Sequence, residues 1–295
     1  MNPKKIENKM ISIVLPSYNE SKIIGNVIDD IKNELSKINS DYEIIVVNDH
    51  STDDTEKIAL QSGVKVISHP YNIGNGAAIK TGIRNCNGDV VVLMDSDGQH
   101  KAKEIAKMLK FSTQYDMVVG ARISNKSGAF HRNLANKIFN LFASYITHFK
   151  VRDLTSGFRI IKKNIIDNFL YLLPNTFSYP STLTLALIRS GYSIKYVPIS
   201  VEKRTGKSKI KIFSDGIKFL VIILKIGTLF SPLRVFIPLS FMFFLLGFSH
   251  FIYKVLIMGG GYTDFTIMIF IIGILIFLMG LISEQITQLR YNRSN

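Results

Sequence analysis

Tryptophan is absent from the 295 residues, and cysteine occurs once, at Cys86. A single thiol excludes an internal disulfide and suits a reducing cytoplasm; a small core side chain is its plainest use. Acids are scarce as well: 22 Asp and Glu stand against 36 Lys and Arg, a formal net charge of +14. A chain this basic seeks an anionic partner, whether nucleic acid, lipid headgroup or phosphorylated substrate. The N-terminus, MNPKKIENK, lacks the apolar core of a signal peptide. Charge is missing altogether from two runs of 19 residues, Val235–Tyr253 (with His250 neutral) and Phe265–Ser283. Roughly 20 apolar residues cross a bilayer as a helix. With the turn GGGYTDF between them, the two runs read as a transmembrane hairpin, and the hairpin favours lipid and phosphorylated substrate over nucleic acid.

Basic residues orient such a hairpin. Lys207, Lys209, Lys211, Lys218, Lys225 and Arg234 precede the first run, and Arg290 and Arg293 follow the second. The turn carries Asp264, although Lys254 lies near that end. Both termini are therefore expected in the cytoplasm, with the turn outside. The expected organisation is a cytoplasmic domain over 1–209, an amphipathic juxtamembrane helix over 210–231 and a hairpin over 232–295, with spans near 235–257 and 265–283. In the middle segment Lys211, Asp215, Lys218 and Lys225 share one helical stripe against Ile, Leu, Val and Phe. That is the pattern of a helix lying in the membrane interface, or of a core helix of the soluble domain.

Upstream, Val/Ile-rich runs alternate with helical patterns. MISIVLP, EIIVVND, VKVISH, DVVVLMD and MVVGAR read as strands, with helices at Ile24–Leu35, after STDD (Ser51 or Thr52 capping) and at Gly76–Arg84. Continuous apolar strands separated by helices predict an α/β fold with a mainly parallel sheet covered on both faces. Later come a helix at Arg132–Thr147, a loop into a strand at Asp153–Ile161, a helix at Thr182–Ser190 and a strand at YSIKYVPI.

Ligands of such sheets bind beyond the carboxyl ends of the strands. There stand Pro16, Tyr18 and Glu20, then Asn48 and Asp49, then His69 to Gly76, then Asp95, Asp97 and Gln99. In VVLMDSDGQH, strand alternation lets Asp95 and Asp97 lean the same way while Ser96 points off. Two like charges so close call for a cation between them, and Mg²⁺ or Mn²⁺ with oxygen ligands and substrate phosphates fits. A polar strand–loop turn is the alternative. Asp49 suits a ribose hydroxyl, a base N–H or the capping of the next helix. In NIGNGAAIKTG, running from Asn72, Gly74 and Gly76 let backbone N–H groups approach an anion, though Ile79 breaks a dinucleotide fingerprint. RTGKSK (Arg204–Lys209), with Arg122, Arg132 and Arg159, supplies cations suited to phosphate or to a lipid-headgroup patch.

These residues give the chain a resemblance to the family-2 inverting glycosyltransferases of the GT-A fold. It looks most like the polyprenyl-phosphate branch, with the dolichol-phosphate mannose synthases and undecaprenyl-phosphate sugar transferases. The matching motifs are LPSYNE, VVNDHSTDDT, NIGNGAAIKTG, MDSDGQH, TSGFR and RTGKSKI, spanning about Ile11 to Ile210. The resemblance implies metal-dependent transfer of a sugar, of hexose type, from a nucleotide-diphosphate sugar to undecaprenyl or dolichyl phosphate, for a cell-envelope glycan. Pro16, Tyr18, Glu20 and Asp49 would hold base and ribose, and Asn72 and Gly76 the donor. Asp95, Asp97 and Gln99 would bind the metal. Arg122, Arg132, Arg204, Ser208 and Lys209 would meet the donor diphosphate or lipid phosphate, with Asp97, Arg122 and Arg204 as the catalytic set. Relatives often carry an acid in the segment that here reads FSYPSTLT, and this chain has none there. Two-span relatives often associate, so the hairpin is also a candidate oligomer surface.

Rival readings make different demands. A polysaccharide synthase of the same superfamily carries Q-x-x-R-W, which a chain without tryptophan lacks. A D-x-D phosphatase places its acids after the first strand, not the fourth. Another membrane-anchored family-2 glycosyltransferase with a different acceptor, or a nucleotide-binding membrane scaffold without turnover, is the alternative that a transfer assay separates.

Overall fold

The computed structural model describes residues 9–38, 40–123, 130–175, 178–201, 225 and 227–292. The chain divides into two compact units, Met1–Lys209 and Ile210–Asn295. The predicted helix over 210–231 falls almost wholly outside the described residues.

The first unit is a seven-stranded sheet between helices. Its strands are β1 (Ile11–Ser17), β2 (Tyr42–Asn48), β3 (Lys65–Ser68), β4 (Val90–Leu93), β5 (Met117–Arg122), β6 (Arg159–Lys162) and β7 (Ile194–Ile199), in the order β3-β2-β1-β4-β6-β5-β7. Parallel ladders join β1 to β2 and β4, β2 to β3, and β5 to β7. The sheet is therefore mainly parallel, as the Val/Ile runs predict. β6 departs from that pattern: it lies antiparallel between β4 and β5. All the other strands end at one edge of the sheet, and β6 begins there.

The helices are α1 (Ile24–Leu35), α2 (Thr55–Gln61), α3 (Asn75–Arg84), α4 (Lys103–Leu109), α5 (Phe130–Thr147), α6 (Lys163–Asp167) and α7 (Tyr179–Arg189). α1 buries Ile24, Val27, Ile28, Ile31 and Leu35, a helical period that packs on Ile13, Leu15, Val46 and Val92 of the sheet. Pro16 sits in a central strand without disrupting it. The β1–β4 ladder stops at Val14↔Leu93, so no donor is needed where Pro16 lacks one.

Two expectations change. α2 starts at Thr55, and neither Ser51 nor Thr52 caps it. Ser51 Oγ instead accepts the Asn19 N–H at 3.0 Å, a bond across to the loop after β1. α7 starts at Tyr179 rather than Thr182, because Pro180 is preset for a first helical turn.

The second unit is a hairpin of α8 (Pro232–Leu256) and α9 (Asp264–Asn292). Both helices are long and apolar enough to cross a membrane, and in their most apolar windows only 11% and 17% of the residues are buried. A buried core helix would show the reverse. α9 runs nine residues past the expected end at Ser283, because EQITQL continues as good helix formers. Glu284 Oε2 there accepts the Leu233 N–H at 3.4 Å, at the first turn of α8. The seam of α9 is Thr266, Gly273, Gly280 and Thr287, one small buried residue per heptad. Ser240 and Gly247 answer from α8, with Ser240 Oγ donating to Gly273 O at 2.8 Å. A Cβ on Gly280 would stand 2.7 Å from Phe236 Cβ. Small residues let two helices approach this closely where lipid gives no hydrophobic drive.

Candidate active site

At the tip of β4 the acids behave as alternation requires. Asp95 and Asp97 are half-exposed, while Ser96 is buried with its Oγ donating to Pro16 O at 2.8 Å. Asp97 Oδ1 accepts the Gln99 N–H at 3.1 Å, which closes the turn. Gly98 makes that turn with φ +71, and a Cβ there would meet Ile23 Cδ1 at 2.4 Å. His100 Nε2 lies 3.9 Å from Asp95 Oδ2, and its ring packs on Phe158 at 5.1 Å. Burial, with Arg122 acting in the same direction against Asp97 and Asp153, pushes His100 down to about 4. It is neutral at physiological pH, and a pKa that low makes it a weak base.

The antiparallel strand explains what faces Asp95. Arg159 pairs across to Leu93 in the β4–β6 register. The loop DLTSGF, which feeds β6, therefore lies just beyond the tip of β4. Gly157 packs on the Asp95 carboxylate so closely that a Cβ would stand 2.7 Å from Oδ2. Asp153 in the same loop takes the Arg122 guanidinium in a two-pronged pair: Nε to Oδ2 and Nη2 to Oδ1, each 2.8 Å. Arg122 Nη2 also donates to Thr155 Oγ1 at 2.6 Å. The hydrogen bonds that Arg122 donates to Asp153 hold its pKa above the ordinary value, so the guanidinium stays charged. Its charge is spent largely on Asp153.

Arg159 is not the phosphate-binding cation the sequence predicts. It is fully buried. Its Nε donates to Ser156 O at 2.8 Å, Nη2 to Leu154 O at 3.0 Å and Nη1 to Thr184 Oγ1 at 2.6 Å. It ties the DLTSGF loop to itself and to α7. Burial lowers its pKa.

At the tip of β2, Asp49 is buried and already engaged. Its oxygens accept the Ile73 and Gly74 N–H groups at 2.9 and 2.8 Å, and His69 Nδ1 stands 2.7 Å away. Asn72 Nδ2 donates to Asp49 O at 3.3 Å. Asp49 thus folds the NIGNG loop against the tips of β1 and β2. His69, whose Nε2 lies 2.9 Å from Thr81 Oγ1 of α3, completes the chain. Gly76 is buried in the first turn of α3.

The loops after β1 and β2 are stapled to each other. Thr52 N–H donates to Asn19 Oδ1 at 2.8 Å, Glu20 N–H to Thr55 Oγ1 at 2.8 Å and Ser21 N–H to Asp53 Oδ2 at 3.1 Å. Asn19, held by its bonds to Ser51 and Thr52, adopts a left-handed backbone with φ 57, and His50 one with φ 62. Tyr18 projects from this staple 47% exposed. Asp53 is held down at about 2, because the hydrogen bonds from Thr55 and Ser21 outweigh the effect of burial. A carboxyl lowered on folding stabilises at pH above its ordinary 3.8, and that contribution is lost as pH falls through about 2. Asp53→Ala is expected to loosen the Tyr18 loop and raise the donor KM several-fold with kcat kept. Initial rates across donor concentrations check this.

The sheet edge thus brings together Pro16, Tyr18, Glu20, Asp49, Asn72, Gly76, Asp95, Asp97, Gln99 and Arg122. Arg132 lies on α5, and Arg204, Ser208 and Lys209 fall outside the described residues. Sequence reasoning missed the parts played by Asp153, Thr155, Asn19 and Asp53, and placed His69 at a strand tip without its bond to Asp49. Asp153 is the one acid in the stretch 117–162, a signal that pointed to a partner. As for a metal, no cluster of three or more acid, histidine or cysteine side chains stands together among the described residues. Two half-exposed carboxylates on one side of a turn fit an ion that completes its shell with water and substrate phosphate.

CsbB of Bacillus subtilis is 29% identical over 300 residues, covering 96% of this chain and 88% of that one. An undecaprenyl-phosphate 4-deoxy-4-formamido-L-arabinose transferase of Photorhabdus laumondii is 27% identical over 305 residues, covering 96% and 90%. The glucosyl-3-phosphoglycerate synthase of Mycobacterium tuberculosis, solved with Mn²⁺, uridine-diphosphate and glucosyl-3-phosphoglycerate, has the same fold: TM-score 0.61, 22% identity, 74% of this chain and 80% of that one. Residues 231–289 match the GtrB C-terminal hairpin. Residues 12–170, the stretch that carries Asp49, Asp95, Asp97 and Arg122, match Glycosyl transferase family 2, and the chain belongs to that family of glycosyltransferases.

Proposed function

We propose that this glycosyltransferase moves a sugar from a nucleotide-diphosphate sugar to a polyprenyl phosphate at the cytoplasmic face of a membrane, with inversion at the anomeric carbon. The observation that carries the reading is the Asp95–Asp97 pair, half-exposed at the carboxyl edge of the sheet and backed by Gly157. The name of the Photorhabdus relative, an undecaprenyl-phosphate sugar transferase, supports the acceptor. The Mn²⁺ and uridine-diphosphate of the mycobacterial synthase support a metal and a nucleotide donor. The bases flanking α8 and α9 support cytoplasmic termini.

Asp95, Asp97 and the Gln99 amide would hold Mg²⁺ or Mn²⁺, which supplies positive charge to the departing diphosphate. Tyr18, Glu20 and the Asp49-held loop would take base and ribose. Arg122, oriented by Asp153, would meet a phosphate oxygen. The basic run Arg204–Lys209 begins three residues after Val201, whose backbone bridges to His100 beside the two acids. Its cations would meet the donor or lipid phosphate. The attacking lipid phosphate is anionic at neutral pH, so the reaction needs no strong general base, and His100, a weak one, is not required for it.

The test uses membranes containing the chain, a polyprenyl phosphate and a panel of labelled nucleotide sugars, with Mn²⁺ or with chelator. Label from one donor is expected in the organic phase and is expected to fall to background with chelator. Nucleotide binding without transfer from any donor would support the scaffold reading. Label in a water-soluble product would support a different acceptor.

A further inference from the structure

We propose that Tyr71 is a base-stacking residue of the donor site, closing with Tyr18 a slot for the nucleobase across the tip of β2. This role rests on the nucleotide-sugar reading and deepens it. The sheet sets the spacing. Ser17, Asn48 and Ser68 stand in register at the ends of β1, β2 and β3. Tyr18 follows the first of these strands and Tyr71 the third, with Asp49 and His50 at the tip of the strand between them. Adjacent strands lie about 4.8 Å apart, so the tips of β1 and β3 are about 10 Å apart. A flat base in van der Waals contact with a ring on each side needs about 7–8 Å between those rings.

The loops leave both rings outside. His69, Ile73 and Gly74 are all bonded to the Asp49 carboxylate, and Asn72 to the Asp49 carbonyl. Pro70 and Tyr71 are therefore the part of the turn that bulges off Asp49, and Tyr71 is 64% exposed. Pro70 fixes its own φ and restricts the backbone before it, which stiffens the bulge. On the other side, the bonds of Asn19 to Ser51 and Thr52 hold the loop that carries Tyr18. Asp49 is 3% exposed and spent on the turn, so this edge presents rings to a ligand rather than that carboxylate. A single exposed tyrosine is ordinary. Two of them on either side of one strand tip, at the carboxyl edge where such sheets bind ligands, mark a slot. Tyrosine suits the task, because a ring with two rotatable angles loses little freedom on binding. Stacking engages the face that every base has, so the slot grips the base and leaves the choice of sugar to other residues.

The absence of tryptophan supplies the probe. Tyr71→Trp puts a single indole at the slot. Tyr42→Trp puts one at the first residue of β2, on the opposite edge of the sheet and about 20 Å away. Each full chain, purified in detergent with Mn²⁺, is titrated with UDP, GDP or pyrophosphate. One of the two nucleotides is expected to quench the Tyr71→Trp chain several-fold more than the Tyr42→Trp chain. Pyrophosphate, which has no base, is expected to leave both unquenched. Equilibrium dialysis with that nucleotide, labelled, is expected to give Tyr71→Ala a Kd about 10-fold or more above the parent. Tyr71→Phe keeps the ring and is expected to restore most of the affinity. An unchanged Kd in Tyr71→Ala, or equal quenching of the two probes by a nucleotide that the parent binds, would overturn the proposal and leave the donor reading standing. A parent that binds neither nucleotide would overturn both.

Discussion

Gly157→Ala is expected to slow transfer by about 100-fold or more while leaving the fold in place. The added Cβ would stand 2.7 Å from Asp95 Oδ2 and 3.1 Å from both Cγ and Oδ1. Real side chains do not approach so closely, so one group must yield. The backbone of Gly157 is fixed from both sides: Phe158 O accepts the Gly120 N–H at 3.0 Å, and Ser156 Oγ donates to Gly120 O at 2.6 Å. Asp95 is half-exposed and can rotate outward. The folding cost is therefore small, about 1 kcal/mol. The catalytic cost is not, because a carboxylate displaced by about 1 Å from its working position loses on the order of 100-fold in rate. The expected result is a fall in kcat of that size or more, a raised Mn²⁺ requirement and a thermal midpoint within a few degrees of the parent. Asp95→Asn should lose activity to a similar degree without the packing change. Parental activity in Gly157→Ala would remove Asp95 from the reaction centre.

Arg159→Met is expected to produce the largest loss of stability in the catalytic unit. Methionine nearly fills the space but donates nothing. It strands Leu154 O and Ser156 O and leaves Thr184 Oγ1 only its bond to Pro180 O, where all three meet the guanidinium now. Each buried acceptor left unmet costs about 1–3 kcal/mol, so the sum is on the order of 4 kcal/mol. For a domain of this size that lowers the thermal midpoint by about 10 °C, measured on the purified full chain in detergent. Thr184→Val removes one partner only and should cost about 1 kcal/mol. An unchanged midpoint in Arg159→Met would mean that the Arg122–Asp153 pair alone holds the loop.

Much of this architecture could be read from the chain. Val90 to Leu93 are each buried because both faces of a parallel sheet are covered, and a run of four apolar residues announces that. The period of α1 names its own buried face. Asp95 and Asp97 are half-exposed and Ser96 turns in, as the alternation predicts, although β4 itself ends at Leu93 and the chain bends from Ser96. The hairpin is legible because a bilayer demands length and apolarity, and both are one-dimensional quantities.

Arg159 shows where local reading stops. In sequence it is one more base near a glycine, suited to phosphate. In the fold it is buried, because β6 inserts antiparallel between β4 and β5 and turns the first residue of the strand into the interior. Arg122 likewise reads as a free cation until Asp153, 31 residues away, is brought against it. The staple between Asn19 and Ser51 joins two motifs that read as separate signals.

The sequence by itself determined which residues seek the interior, which strand tips carry polar groups and which segments can enter a membrane. Those follow from side-chain chemistry and the periods of helix and strand. Only the tertiary structure decided which charges are spent on one another and which remain for a ligand. Pairing across dozens of residues depends on strand order and direction, and neither is written in any local period.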